Sequence, residues 1–214
     1  MQIMILCLPI LFFCIIIHEC AHGYVALHFG DTTAQDMGRL TLNPLPHIDL
    51  FGTIILPLML LMMKSGFLFG WAKPVPVNPY NFDDPKRDMM WVALAGPVSN
   101  LLLAVVFSIL YHLLMRFTGL YHLMRFTGVF GIVSLVFGYG VVINLVLAVF
   151  NLIPVPPLDG SRVLSGLLPE DLAYKYERIT PFGFIIIFVL LMGGLFSILW
   201  PIVAGLAHLL GVRI

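Results

Sequence analysis

Long apolar runs, separated by short polar segments, organise this chain. The first covers roughly Ile3 to Phe29. At 1.5 Å per residue it makes a helix of about 40 Å, enough to span a bilayer with some tilt. Gly30 and Asp31 end it, and a turn-rich stretch to Asp49 follows, with Asn43-Pro44 and Pro46 as breakers. A second apolar run, Leu50 to Phe69, is interrupted by Lys64, Ser65 and Gly66. From Trp71 to Pro79 a proline stands at every second or third position, which forbids a helix and favours extended chain. Asp83 to Asp88 is the most charged stretch and belongs in water. Further spans are expected from about Met89 to Met115 and from about Val129 to Ile153. The loop between them carries a near-duplicate, Tyr111 to Gly119 against Tyr121 to Gly128, which reads as one tandem copy and not as a solenoid. A polar segment, Asp159 to Thr180, contains a short charged helix around Tyr174 to Arg178. The last apolar stretch, Phe182 to Leu210, is expected to break at Pro201, either as one kinked helix or as a helix with a short return. The pattern predicts an all-α polytopic membrane protein with about five membrane segments, the second of them re-entrant or inserted.

Composition supports a bilayer as the solvent. Of 214 residues, 60% are apolar and 10% charged, against about 25% charged in soluble domains. The length fits one membrane domain over residues 1–214, and a net charge of zero gives no reason to expect a nucleic-acid partner. No signal peptide is evident, because the N-terminal run lacks a basic leader region. Cys7, Cys14 and Cys20 all lie in the first run, too far apart on one helix to bridge, and they form no CxxC site.

Lys and Arg bear on orientation. If the second run enters and leaves on one side, Arg39, Lys73, Lys86, Arg87, Arg162, Lys175 and Arg178 share a side, and Arg116 and Arg125 face the other. If it crosses fully, Arg39 changes sides and the bias survives. Either way the side of Arg87 and Arg162 is expected to be cytoplasmic.

The chemistry begins at His18-Glu19-Cys20-Ala21-His22. Positions i and i+4 share a helix face, so His18 and His22 can offer two imidazole nitrogens to one ion, with Glu19 close by. This is the H-E-x-x-H spacing of zinc proteases. The bare pattern is short, but here it sits inside an apolar helix whose first 30 residues contain no other acid. Ionisable groups at membrane depth are costly, and a divalent cation compensates them. The competing reading is a polar cluster that glues helices together. The lone histidines His28, His112, His122 and His208 read as interfacial or packed.

Catalytic zinc takes three protein ligands and keeps a fourth position open. Asp159 is the best third candidate. Prolines 154, 156 and 157 precede it and unwind the end of a span, and irregular backbone at that depth is tolerated beside protein or a water-filled cavity. Gly160 then permits a sharp turn. The alternative is that Asp-Gly is only a turn at a helix boundary. His47 and Asp49 leave a similar choice, either a second polar site or the marker of a helix start.

Taken together, His18-Glu19-Cys20-Ala21-His22, Ala95-Gly96-Pro97-Val98-Ser99-Asn100 and Asn151 through Gly160 resemble, in order, the motifs of the site-2 protease family of intramembrane zinc metalloproteases. The resemblance covers most of residues 18–165. It implies one zinc per chain on His18, His22 and Asp159, Glu19 as the general base, and Asn151 as a helper near the substrate carbonyl. It implies a transmembrane protein as substrate and an active site towards the cytoplasm of a bacterial or archaeal cell membrane. Trp71 to Pro79 resembles the family's short membrane-associated β elements, which present substrate as a strand. The chain departs from better-known members in lacking a PDZ or CBS module and in its inserted second run. Two other functions fit intramembrane His and Asp: metal transport, and a catalytically inactive protein that binds membrane helices. A transporter is expected to repeat its broken helices, and no second copy of the His-Glu motif occurs.

Overall fold

The computed structural model describes residues 2–63, 70–117 and 128–212. Lys64 to Phe69, Arg125, His122 and the second copy of the duplication up to Thr127 lie outside the described residues, as does the side chain of Cys7. Helix dominates, and no strand occurs among the described residues. Among the described residues three helices are long and apolar enough to cross a membrane: Leu8–His28, Pro85–Arg116 and Phe130–Asn151. A fourth candidate is a pair bent by 77°, Glu170–Met192 with Leu195–Leu209. The protein is an all-α, multi-pass membrane protein. Its outward positions agree: Leu102, Val105, Val106 and Ile109 on one span, and Phe184, Ile185 and Phe188 on another, are exposed. Such apolar faces suit acyl chains and not water.

The chain divides into two compact units, Met1–Gly96 and Pro97–Ile214. The first opens with α1, Gln2–His28, which keeps its helix through Pro9. A short helix, α2 (Thr33–Asp36), packs back on α1. Asp49 then starts the second apolar run as an N-cap: its Oδ1 accepts the Gly52 N–H at 2.6 Å, and its own N–H donates to Thr53 Oγ1 at 3.0 Å. The helix-start reading of Asp49 therefore holds. A six-residue π-helical turn, Leu50–Ile55, leads into the seven-residue α3, Leu56–Met62. Together they reach about 20 Å, short of a hydrocarbon core of about 30 Å.

The run also returns to its own beginning. The Trp71 N–H donates to the Gly52 carbonyl at 3.2 Å. Thr53 Oγ1 donates to the Trp71 carbonyl at 2.8 Å. Gly70 sits so close that a Cβ there would lie 2.6 Å from the Gly52 oxygen. The described residues at the two ends of the run thus lie side by side, as expected of a re-entrant segment.

Residues 70–78 are extended, as the prolines require, but pair with no strand among the described residues. Side chains and isolated main-chain bonds hold the segment instead. The Lys73 N–H donates to the His47 carbonyl at 2.9 Å. Asp31, wholly buried at the foot of α1, accepts from the Asn78 N–H at 2.7 Å, from Asn81 Nδ2 at 2.7 Å, and from Thr33 through both its N–H and its hydroxyl. Burial raises the Asp31 carboxyl, but the bonds from Thr33, Asn78 and Asn81 together hold it below its ordinary 3.8. A depressed folded-state value gives stability that is complete above pH 3.8 and is lost as pH falls through the lowered value. Asp31→Asn should therefore remove an acid limb from the stability profile of the detergent-solubilised protein. An unchanged limb in a thermal-melt series against pH would contradict this.

The second unit is built on α4, Pro85–Phe117, from Pro97 onward, with α5 (Gly128–Asn151) and α9 (Leu195–Leu209). Ala104, Val141, Leu145, Val203 and Ala207 form its core. Inside it Asn100 Nδ2 donates to Asn144 Oδ1 at 2.9 Å, and Asn144 Nδ2 donates to the Gly140 carbonyl at 2.8 Å. This amide pair ties α4 to α5, a polar clamp of the kind membrane helices use. His112 is exposed, with Nδ1 on the Ser108 carbonyl at 2.7 Å.

The charged segment forms α6 (Asp159–Leu167) and α7 (Glu170–Glu177), which pack together. The last apolar stretch breaks between α8 (Gly183–Met192) and α9, not at Pro201. Gly194 carries φ +86°, a left-handed conformation open to glycine. Pro201 lies within α9, where a missing N–H is tolerated in a membrane helix.

Candidate metal centre

α1 places His18 and His22 one turn apart, both buried. Their Nε2 atoms lie 3.1 Å apart. Zinc–nitrogen bonds of about 2.0–2.1 Å at a tetrahedral angle put two ligand nitrogens about 3.3 Å apart. The pair is therefore already close to the spacing that one ion requires. The tautomer follows from the other side of the ring. His22 Nδ1 lies 2.7 Å from the Val92 carbonyl. A carbonyl only accepts, so Nδ1 carries the proton and the Nε2 lone pair faces His18. Val92 lies on α4, one turn before Gly96.

Gly96 belongs to the same arrangement. A Cβ at this position would lie 2.5 Å from His18 Cε1, His22 Cε1 and His22 Nε2. The sequence suggests close helix approach for this small residue; what approaches it is the pair of imidazoles.

Glu19 is half-buried between the two histidines in sequence, and its Oε2 accepts the Val75 N–H at 2.8 Å. The acid is thus anchored to the extended segment, and no residue among those described bonds its Oε1. Cys14 and Cys20 are both buried, and Cys20 Sγ donates to the Thr41 carbonyl at 3.3 Å.

Asp159 stands in the second unit as the first residue of α6. The chain from Leu152 to Leu158 is non-helical, as its prolines require. Gly160 is helical and not a turn: a Cβ there would run into the Leu152 and Ile153 carbonyl oxygens, so the residue is a glycine because the unwound chain passes against it. Gly183 meets the Pro156 carbonyl in the same way, and the Tyr176 hydroxyl donates to the Pro154 carbonyl at 2.9 Å. The loop that delivers Asp159 is thereby fixed from two directions. Asn151 Nδ2 donates to the Leu147 carbonyl of its own helix at 3.0 Å.

His47 is wholly buried with Nε2 on the Thr41 carbonyl at 2.8 Å, which makes it a structural partner of the turn that leads to Asp49. Sequence reasoning missed Val92, read Arg39 only as a charge that bears on orientation, and read Asp31 only as a helix end.

A multi-pass membrane protein with two histidines so disposed on a buried helix, beside a glutamate, has the make-up of an intramembrane metalloprotease. Residues 6–194 match the profile of peptidase family M50, and the chain belongs to that family, the site-2 proteases. It is 43% identical over 185 residues to YwhC of Bacillus subtilis (strain 168), covering 86% of this chain and 79% of that protein. It is 30% identical over 180 residues to Rip2 of Mycolicibacterium smegmatis, covering 82% of this chain and 62% of that protein. With MJ0611 of Methanocaldococcus jannaschii it shares 42% identity over 74 residues, 35% of this chain and 32% of that one. All three relatives are named provisionally as zinc metalloproteases. No solved structure matches the chain. Zinc is the metal that the family and these names imply, and the imidazole pair suits it.

Proposed function

We propose that this chain is an intramembrane zinc endopeptidase, working as one catalytic domain, that cleaves peptide bonds within or near transmembrane helices. The observation that carries the reading is the His18–His22 Nε2 pair at 3.1 Å, with the His22 tautomer set by Val92. Asp159 is the third ligand in this reading, delivered by the unwound chain after α5. Bound there, zinc supplies Lewis acidity to a peptide carbonyl and to a water. Glu19 Oε1 takes the proton from the attacking water, and the same carboxylate passes it to the leaving amine. Asn151 donates its amide to the developing oxyanion, after turning from its own helix. The extended segment from Trp71 lies directly against Glu19 through Val75, which supports docking of substrate as an extended strand at that edge. The site faces the cytoplasm of a bacterial or archaeal cell membrane. A metal transporter has no use for a carboxylate held beside the ligand pair, and Glu19 favours hydrolysis.

A substrate helix buries its amides in its own hydrogen bonds, so it unwinds before cleavage. Placing glycine for alanine beside the scissile bond removes about 1 kcal/mol of helix preference. Cleavage in proteoliposomes should rise by about fivefold per such substitution. A substrate series with rates indifferent to helix stability would sink this part of the proposal.

A further inference from the structure

The first unit holds a buried cation that the proposed chemistry leaves unused. Arg39 is 6% exposed. Its Nη2 donates to the Lys73 carbonyl at 2.8 Å and to the Pro74 carbonyl at 3.2 Å, and its Nε is buried with no hydrogen-bond partner. Among the described residues no carboxylate pairs with it. A guanidinium buried against main-chain carbonyls alone is costly to keep, so the geometry that it secures matters.

Pro74 C=O and Val75 N–H belong to one peptide plane. In a trans peptide these two groups point in opposite directions and turn together. Holding the oxygen on one side therefore aims the N–H at the other, and that N–H meets Glu19 Oε2 at 2.8 Å. Pro74 and Pro76 have no N–H, so Val75 supplies the one main-chain donor from 74 to 76. The Lys73 N–H, on the His47 carbonyl at 2.9 Å, fixes the Ala72–Lys73 peptide two links upstream.

We propose that Arg39 is a positioning residue for the base: it grips the Pro74–Val75 peptide so that Val75 N–H orients the Glu19 carboxylate, with the other oxygen left for the reacting water. This rests on the reading of Glu19 as the base. Arg39 touches neither metal nor substrate and acts through the main chain.

The test uses the full chain, purified in detergent, with zinc content, kcat and KM measured on a model transmembrane substrate. Arg39→Met and Val75→Pro should each lower kcat by about 10- to 100-fold, the effect of losing one hydrogen bond to a charged group. Zinc content should stay near wild type in both, and KM near wild type in Arg39→Met. Both changes remove the same bond, so the double variant should be no slower than the slower single one. Arg39→Lys keeps a donor for the two carbonyls and should recover most of the rate. Losses that multiply in the double variant would overturn the proposal, as would wild-type kcat in either single variant. If Arg39→Met fails to fold, zinc-bearing Val75→Pro decides alone, and an undiminished kcat there overturns it. Wild-type activity in Glu19→Gln would instead remove the base, and the parent reading with it.

Discussion

Glu19→Gln should lower cleavage of a model transmembrane substrate by a factor on the order of 10²–10⁴, the usual contribution of a general base, while leaving zinc in place. The substitution is nearly isosteric. Its amide oxygen can still accept the Val75 N–H that holds Glu19 Oε2 at 2.8 Å. What disappears is the ability to take a proton from water and return it to the leaving amine. The protein should therefore fold, bind metal and bind substrate, and stall at hydrolysis. Steady-state cleavage and metal analysis on the same preparation check this. Comparable rates from both proteins would assign the proton transfers to another group.

The second large effect concerns the ligands. His22→Ala removes one of the two nitrogens 3.1 Å apart and also strips the Val92 carbonyl of its donor. Loss of an outer partner of a metal ligand alone typically costs about 10- to 100-fold in affinity or activity. Loss of the ligand with its partner should exceed that, leaving metal at background and no detectable cleavage. Zinc retained at wild-type level in His22→Ala would place the metal elsewhere.

Much of this site is legible in the chain because its chemistry is local. His18, Glu19 and His22 lie within one helical turn, and i, i+4 spacing puts the imidazoles together whatever surrounds them. The prolines before Asp159 are equally local, since each one removes an N–H and restricts its neighbour. What escapes sequence reasoning is non-local or resides in the backbone. The Val92 carbonyl sets the tautomer of His22 from 70 positions away, and a carbonyl has no residue signature. Arg39 reads as a topology charge because its partners are also carbonyls, those of Lys73 and Pro74. Gly96 and Gly160 look like helix-packing and turn glycines. Their actual neighbours, imidazole rings for Gly96 and the Leu152 carbonyl for Gly160, appear only in three dimensions.

The spans show the same division. Apolar length alone identifies Leu8–His28, Pro85–Arg116 and Phe130–Asn151. The meeting of Gly52 and Trp71 at the two ends of the second run is a pairing that hydropathy does not encode. The last stretch is expected from its sequence to break at Pro201, but it breaks at the glycine pair 193–194. The left-handed conformation of Gly194 decided it, because a positive φ ends a helix outright whereas an interior proline removes one bond.

The central claim is that one zinc sits on His18, His22 and Asp159, and X-ray absorption at the zinc edge of chelator-free purified protein tests it most directly. The account predicts about one zinc per chain with roughly four nitrogen and oxygen neighbours near 2.0–2.1 Å, two of them imidazoles, and only background zinc in His22→Ala protein. A sulfur neighbour near 2.3 Å, which would bring in Cys20, or a protein that cleaves its substrate with no zinc bound, would contradict it.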